Sequence, residues 1–155
     1  MFGLIILESI SWTLILWSGL TALVISTWLL MLLRSLGATR YLPRAYWSCA
    51  LFAGTGNASL ILAGLLRMIA MIAVFPFLYA AVFVYTGRAE AIIGLMIGLA
   101  HGLLAGLMLP LAARRCSGAN PPGLLGFNLG KLTPLVLLFV HAVYGSLIGY
   151  IYVHG

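Results

Sequence analysis

The stretch GLMIGLAHGLLAGLMLP, residues 94–110, is apolar throughout except for one ionisable side chain, His101. It belongs to a longer segment, about residues 89–113, that exceeds the roughly 20 residues an α-helix needs to cross a bilayer. Three more segments reach that length, at about residues 11–33, 60–85 and 132–153. Each is too long for a strand of a membrane barrel and lacks the required alternation of polar and apolar residues. A backbone in hydrocarbon must satisfy its hydrogen bonds within its own segment, so the segments are helices. The expected fold class is all-α. It is a polytopic membrane protein, a four-transmembrane-helix bundle forming a single domain over residues 1–155.

Composition excludes a soluble fold. Of 155 residues, 64% are hydrophobic and 6% are charged, whereas a soluble domain carries roughly 25% charged residues. The opening MFGLIILESISW has no Lys or Arg ahead of its apolar run, and the run is too long for a signal core. The first helix is therefore expected to be retained.

Charge sorts by loop. Arg34, Arg40 and Arg44 fall between the first two spans, and Arg114, Arg115 and Lys131 between the last two. The middle connection holds only Arg88 and Glu90, and Glu8 precedes the first span. With Arg67 added to the six loop cations, one side carries +7 and the other −1, which gives the formal +6. The positive-inside rule places the basic side in the cytoplasm and both termini outside it. The basic balance is a topology signal with some attraction to anionic lipid. The cations are few, split over two loops and without a recognition motif, so no nucleic-acid partner is expected. Cys49 and Cys116 have no close-spaced partner and fall on the side assigned to a reducing compartment, which predicts free thiols.

The first basic connection, RSLGATRYLPRAYWSCALFAGTGNAS, is long for a helix–helix loop. Pro43 suits a first helical turn, and RAYWSCALF is aromatic and basic, which predicts a short interfacial helix between spans one and two. GTGN should end it, with Asn57 or Ser59 capping the second span. It is not a phosphate loop, because no lysine follows the glycines. The second basic connection, RRCSGANPPGLLGFNLGK, carries Leu124, Leu125, Phe127 and Leu129. Those apolar residues predict that it tucks back against the membrane or a neighbour. Pro76, inside the second span, should kink that helix and free a backbone carbonyl one turn earlier.

Gly94, Gly98, Gly102 and Gly106 recur every four residues and form a groove along the third span, with His101 at its edge. Gly145 and Gly149 form a second seam on the fourth span, where His141 shares a face with Tyr144. Such small-residue grooves let helices approach closely in lipid. The two histidines sit near the midplane, and their expected role is interhelical hydrogen bonding to Tyr144 or a backbone carbonyl. A second reading makes them ligands of haem b or chlorophyll, with the glycines leaving room for a flat ring. A proton path is weakened because neither Glu8 nor Glu90 lies mid-membrane. Arg67 lies about 10 Å inside the second span, at 1.5 Å per residue. It either snorkels to the interface or meets an anion. This chain has no carboxylate on that side, so the anion must be a lipid phosphate, a cofactor or another subunit's group, unless a backbone carbonyl serves.

The pattern GLAHGLLAGLMLP, then GFNLG, TP and HAVYGSLIGYIY, resembles a family of small bacterial four-helix membrane proteins to which no activity is attached. The likeness covers about residues 94–152, and before that only the helix layout matches. It implies four helices and a bacterial inner membrane, and it brings no catalytic residue. No nucleophile elbow, HExxH or pair of intramembrane carboxylates occurs, so the chain is not expected to be an enzyme. The expected function is a non-catalytic accessory or scaffolding subunit of a larger inner-membrane complex, partnered by the bilayer and other integral membrane subunits. Three features motivate it: almost no extramembrane mass, no recognisable chemistry, and glycine seams with an Arg67 that together offer more packing surface and unpaired charge than a four-helix monomer needs. The alternatives are a haem- or chlorophyll-binding electron-transfer or light-harvesting subunit using His101 and His141, and a minimal transporter or channel.

Overall fold

A computed structural model describes residues 10–116 and 121–154. Glu8 and the rest of the opening segment read as uncleaved lie outside the described residues. The described chain is helical, with four helices long and apolar enough to span a membrane: α1, Trp12–Ser35; α3, Asn57–Thr86; α4, Ala91–Arg114; and α5, Thr133–His154. The short α2, Pro43–Phe52, sits between α1 and α3, with proline in its first turn. Large apolar side chains such as Trp17, Trp28, Val24 and Met31 face outward. That arrangement is normal in lipid, which is as apolar as they are.

Local signals set the ends. The Ser11 hydroxyl accepts from the Leu14 N–H at 3.4 Å and caps α1. α2 stops where Ala53 turns left-handed at φ 51, and the Ser48 hydroxyl donates to the Gly54 carbonyl beyond it. Neither Asn57 nor Ser59 caps α3. Gly56 takes the cap position with no side-chain bond, and the Ser59 hydroxyl instead donates back to the Gly56 carbonyl at 2.8 Å. α3 ends at Gly87, whose φ of 65 suits a residue without a Cβ.

Midway along α3, Ala70–Val74 form a π turn, in which the Phe75 N–H reaches the Ala70 carbonyl five residues back. In that register the next donor would be residue 76. Pro76 has no N–H, so the Met71 carbonyl is left free inside the helix. The freed carbonyl expected from Pro76 is present, and the π turn shifts it by one residue relative to an α-helical count. The hydroxyl of Tyr144 on α5 donates to that carbonyl at 2.5 Å.

α4 and α5 form the tightest pair. A Cβ added at Gly94 would overlap the Gly145 carbonyl oxygen, one at Gly98 would overlap that of His141, and one at Gly149 that of Glu90. The two glycine seams mesh with each other, backbone on backbone. The groove continues at Gly102, where an added Cβ would lie 2.9 Å from the His141 Cβ, and at Gly106, against Leu125 and Leu137. α1 closes on the π turn of α3 through Gly19, where a Cβ would overlap the Ile72 carbonyl oxygen and lie 2.6 Å from the Pro76 ring.

Both long connections fold onto one end of the bundle, the basic end. In the second, Leu124–Leu129 form a 3₁₀ element interrupted by left-handed Leu125 and Gly126. It tucks against this chain's own helices: Leu129 packs with the cluster of Leu30, Tyr41 and Leu137. The two connections are tied together by the Arg40 N–H donating to the Leu129 carbonyl at 2.8 Å and by Thr39 and Thr133, whose hydroxyls share a bond of 2.8 Å.

The expectation of free thiols is overturned. Cys49 and Cys116 form a disulfide with Cα atoms 5.3 Å apart. α2 folds back over the starts and ends of α3 and α4, which brings Cys49 onto the end of α4. A separation of 67 residues hid that approach from any reading of local spacing.

Candidate functional site

A cavity of about 490 Å³ occupies the basic half of the bundle, between α3 and α4. α2 roofs it with Tyr46, Trp47, Ala50 and Leu51, joined by Tyr41 from the preceding connection. These α2 positions fall on one side of the helix, while Ser48 and Cys49 are buried on the other. The floor is Phe75, His101, His141 and Tyr144, close to the midplane. Phe75 lies against His101 with ring centroids 4.3 Å apart. Tyr79 closes the bundle behind them, edge-on to both Tyr144 and His101.

Among the described residues, Arg67 is the only charged one lining the cavity. It lies ten residues into α3, about 15 Å from the helix start. Among the described residues its guanidinium makes no hydrogen bond, and the one ion pair, Arg88 to Glu90 at 3.1 Å, is exposed at the opposite end. Arg67 therefore carries an unmatched positive charge into a mostly apolar chamber. The roof contributes two phenols, Tyr41 and Tyr46. Burial pushes the Tyr41 phenol up to about 12, with the Arg67 charge opposing the shift, and burial raises the Tyr46 phenol as well. Tyr41 and Tyr46 thus line the cavity as neutral phenols. The rings of Tyr41 and Tyr46 stack at 5.6 Å.

The two histidines come together. Their ring centroids are 4.9 Å apart, edge to face. The His141 Nδ1–H donates to the Leu137 carbonyl of its own helix at 2.7 Å, which fixes the tautomer with the lone pair on Nε2. His101 Nδ1 meets the Tyr79 hydroxyl on α3 at 3.3 Å. The expected partners thus divide: His141 uses a backbone carbonyl but within one helix, and His101 bonds between helices but to Tyr79. Tyr144 serves neither, because its hydroxyl is committed to Met71.

This geometry does not fit a ring ligated from both faces. Two axial imidazoles must have the macrocycle and its metal between them, and these two touch. The glycine groove that would admit a flat ring is filled by the backbone of α5. Among the described residues no three His, Cys, Asp or Glu side chains converge on a metal position.

Arg67, His101 and His141, singled out in the sequence, all line this cavity; Tyr41, Tyr46 and Tyr79 were not singled out. Tyr79 sits three residues after a proline inside an aromatic run, with no periodicity to mark it. Tyr41 and Tyr46 reach the site only because α2 folds inward. No protein family, curated protein or solved structure matches the chain. What the site can do therefore follows from its residues.

Proposed function

We propose that the protein binds an anion-headed small molecule in the cavity between α3 and α4, with Arg67 holding the anion. One observation carries this reading: an arginine about 15 Å into a span lines a chamber of ligand size and has no hydrogen-bond or ion-pair partner among the described residues. An unpaired intramembrane cation is costly, and such residues are kept where a ligand or counter-charge meets them. The Tyr41 and Tyr46 phenols and the His141 Nε2 lone pair add donors and an acceptor around the head. The apolar remainder of the wall suits a membrane-soluble body. Binding is the proposed activity; no catalytic step is assigned.

The accessory-subunit reading loses one of its three supports and keeps the small extramembrane mass and the lack of recognisable chemistry. The glycine seams are used between α4 and α5, and Arg67 turns into this chain's own cavity, so neither calls for another subunit. The transporter reading meets a closed floor of Phe75, His101 and Tyr144. We place the protein in a bacterial inner membrane with the basic end toward the cytoplasm, where the charge of +7 against −1 favours it. On that side the Cys49–Cys116 bond exchanges with the cellular thiol pool instead of persisting as a permanent staple.

The test is purification in mild detergent followed by native mass spectrometry. Wild type should carry a bound anionic mass that Arg67→Leu loses, while both keep the same helical content. A wild type without any retained anion, and without a thermal shift in the presence of carboxylate- or phosphate-headed amphiphiles, refutes the reading.

A further inference from the structure

The cavity is roofed at the basic end and open at its side. The roof, α2, is bonded to the end of α4 through Cys49–Cys116, and Tyr41 is packed into it at 7% exposure. The floor is aromatic. Between the first half of α3 and α4 there is no comparable packing, and it is α2 that bridges the two helices. Leu51, Leu104 and Met108 line the cavity yet are 45%, 59% and 52% exposed. Side chains that belong to both an inner wall and an outer surface mark an opening, and this one faces hydrocarbon. Gly64, one turn before Arg67, has nothing within 4 Å of the position its Cβ would take.

Depth limits what can enter. A head that reaches Arg67 leaves the headgroup layer and gives up its water among few polar atoms. Bulky polar heads would lose more hydration than the site replaces. A carboxylate or phosphate monoester is compact and is matched by one guanidinium through charge-assisted bonds. We infer that the ligand is a single-chain amphiphile with a compact anionic head, which enters sideways between α3 and α4 with its head on Arg67 and its chain in the gap beside Gly64. The inference rests on the anion site proposed above.

Saturable binding of tritiated oleate to the protein in phosphatidylcholine nanodiscs tests it. Wild type should bind. Arg67→Leu should weaken binding about tenfold or more, the loss expected for one charge-assisted contact. Gly64→Phe, whose Cβ would meet no atom within 4 Å, should weaken it similarly, and Gly64→Ala should bind as wild type does. Acetate and inorganic phosphate in large excess should not compete. If Gly64→Phe binds oleate normally while Arg67→Leu does not, the lateral route is wrong and the anion site stands. Competition by acetate or inorganic phosphate overturns the requirement for a chain. Equal binding by wild type and Arg67→Leu overturns both the inference and the anion site. A wild type that binds no oleate but retains a native anion overturns the inference alone.

Discussion

Replacing Tyr144 by phenylalanine removes one oxygen atom from the middle of the bundle. Tyr144 is fully buried, and its hydroxyl donates to the Met71 carbonyl at 2.5 Å. Phenylalanine fills nearly the same volume, so the loss concentrates on that carbonyl. Polar contacts between membrane helices average about 0.6 kcal/mol, because a released group usually finds another partner. Met71 has none at hand, since in the π register its backbone donor would be Pro76. The cost should then approach that of a buried, unsatisfied carbonyl, about 2 kcal/mol. Pro76→Ala supplies the missing N–H, and in that background the same substitution should cost only about 0.6 kcal/mol. The difference, about 1.4 kcal/mol, is a factor of about ten in the unfolding equilibrium. Any void left by the proline ring against Gly19 is common to both arms and cancels. Reversible unfolding in mixed micelles of increasing dodecyl sulfate content, measured on all four proteins of the cycle, gives the coupling directly. Additivity within about 0.5 kcal/mol would refute the link between the proline, the π turn and the tyrosine.

Gly98→Ala should destabilise the bundle by about 3 kcal/mol, the upper range for overpacking, because its Cβ meets backbone and not a movable side chain. Gly64→Ala, facing open space, should instead stabilise by up to about 1 kcal/mol; the same micelle titration reads both, and equal effects would contradict the meshing of the seams. If the basic end faces the cytoplasm, acid-quenched cells labelled with a maleimide–polymer should show Cys49 and Cys116 largely as the dithiol, and diamide should drive them to the disulfide. A fully oxidised pair in untreated cells would reverse the orientation. The Tyr41 phenol ionises near 10 when unfolded and at about 12 when folded, so its contribution to stability is full below pH 10 and is lost as pH rises to about 12. Tyr41→Phe should therefore flatten the stability loss over that window, and an unchanged pH profile would show that Tyr41 is not buried in the folded protein.

The four spans were legible because lipid imposes one rule on every backbone group, and a long apolar run has one way to obey it. The helices begin and end within about three residues of the expected positions, Asn57 against 60 being the widest gap. Pro43 marked the start of α2 because its ring fixes a helical φ and needs no donor in the first turn. What α2 does was not legible: its inward fold creates the roof, brings Tyr41 and Tyr46 to Arg67, and joins Cys49 to Cys116. All of these are contacts between residues far apart in sequence. The glycine seams were visible as seams, but nothing in their spacing says that each is the other's partner. His101 and His141 were both expected near the middle of their helices, and their rings lie 4.9 Å apart. Their edge-to-face contact depends on how closely α4 approaches α5, a distance that the glycines permit without specifying.

The π turn at Ala70–Val74 also acts as a phase setter. It is one residue more than an unbroken α-helix would need, and each residue turns a helix by about 100° and advances it by 1.5 Å. Everything on the basic side of α3 therefore owes its bearing to a single inserted position. A chain lacking one residue there could keep every cavity side chain described above. Its second span would still be apolar, long enough and able to insert. The arginine would nevertheless point about a quarter-turn away, into lipid or into a neighbouring helix. The chamber would then have lost its charge through a change in chain length, with no substitution in its wall to reveal it.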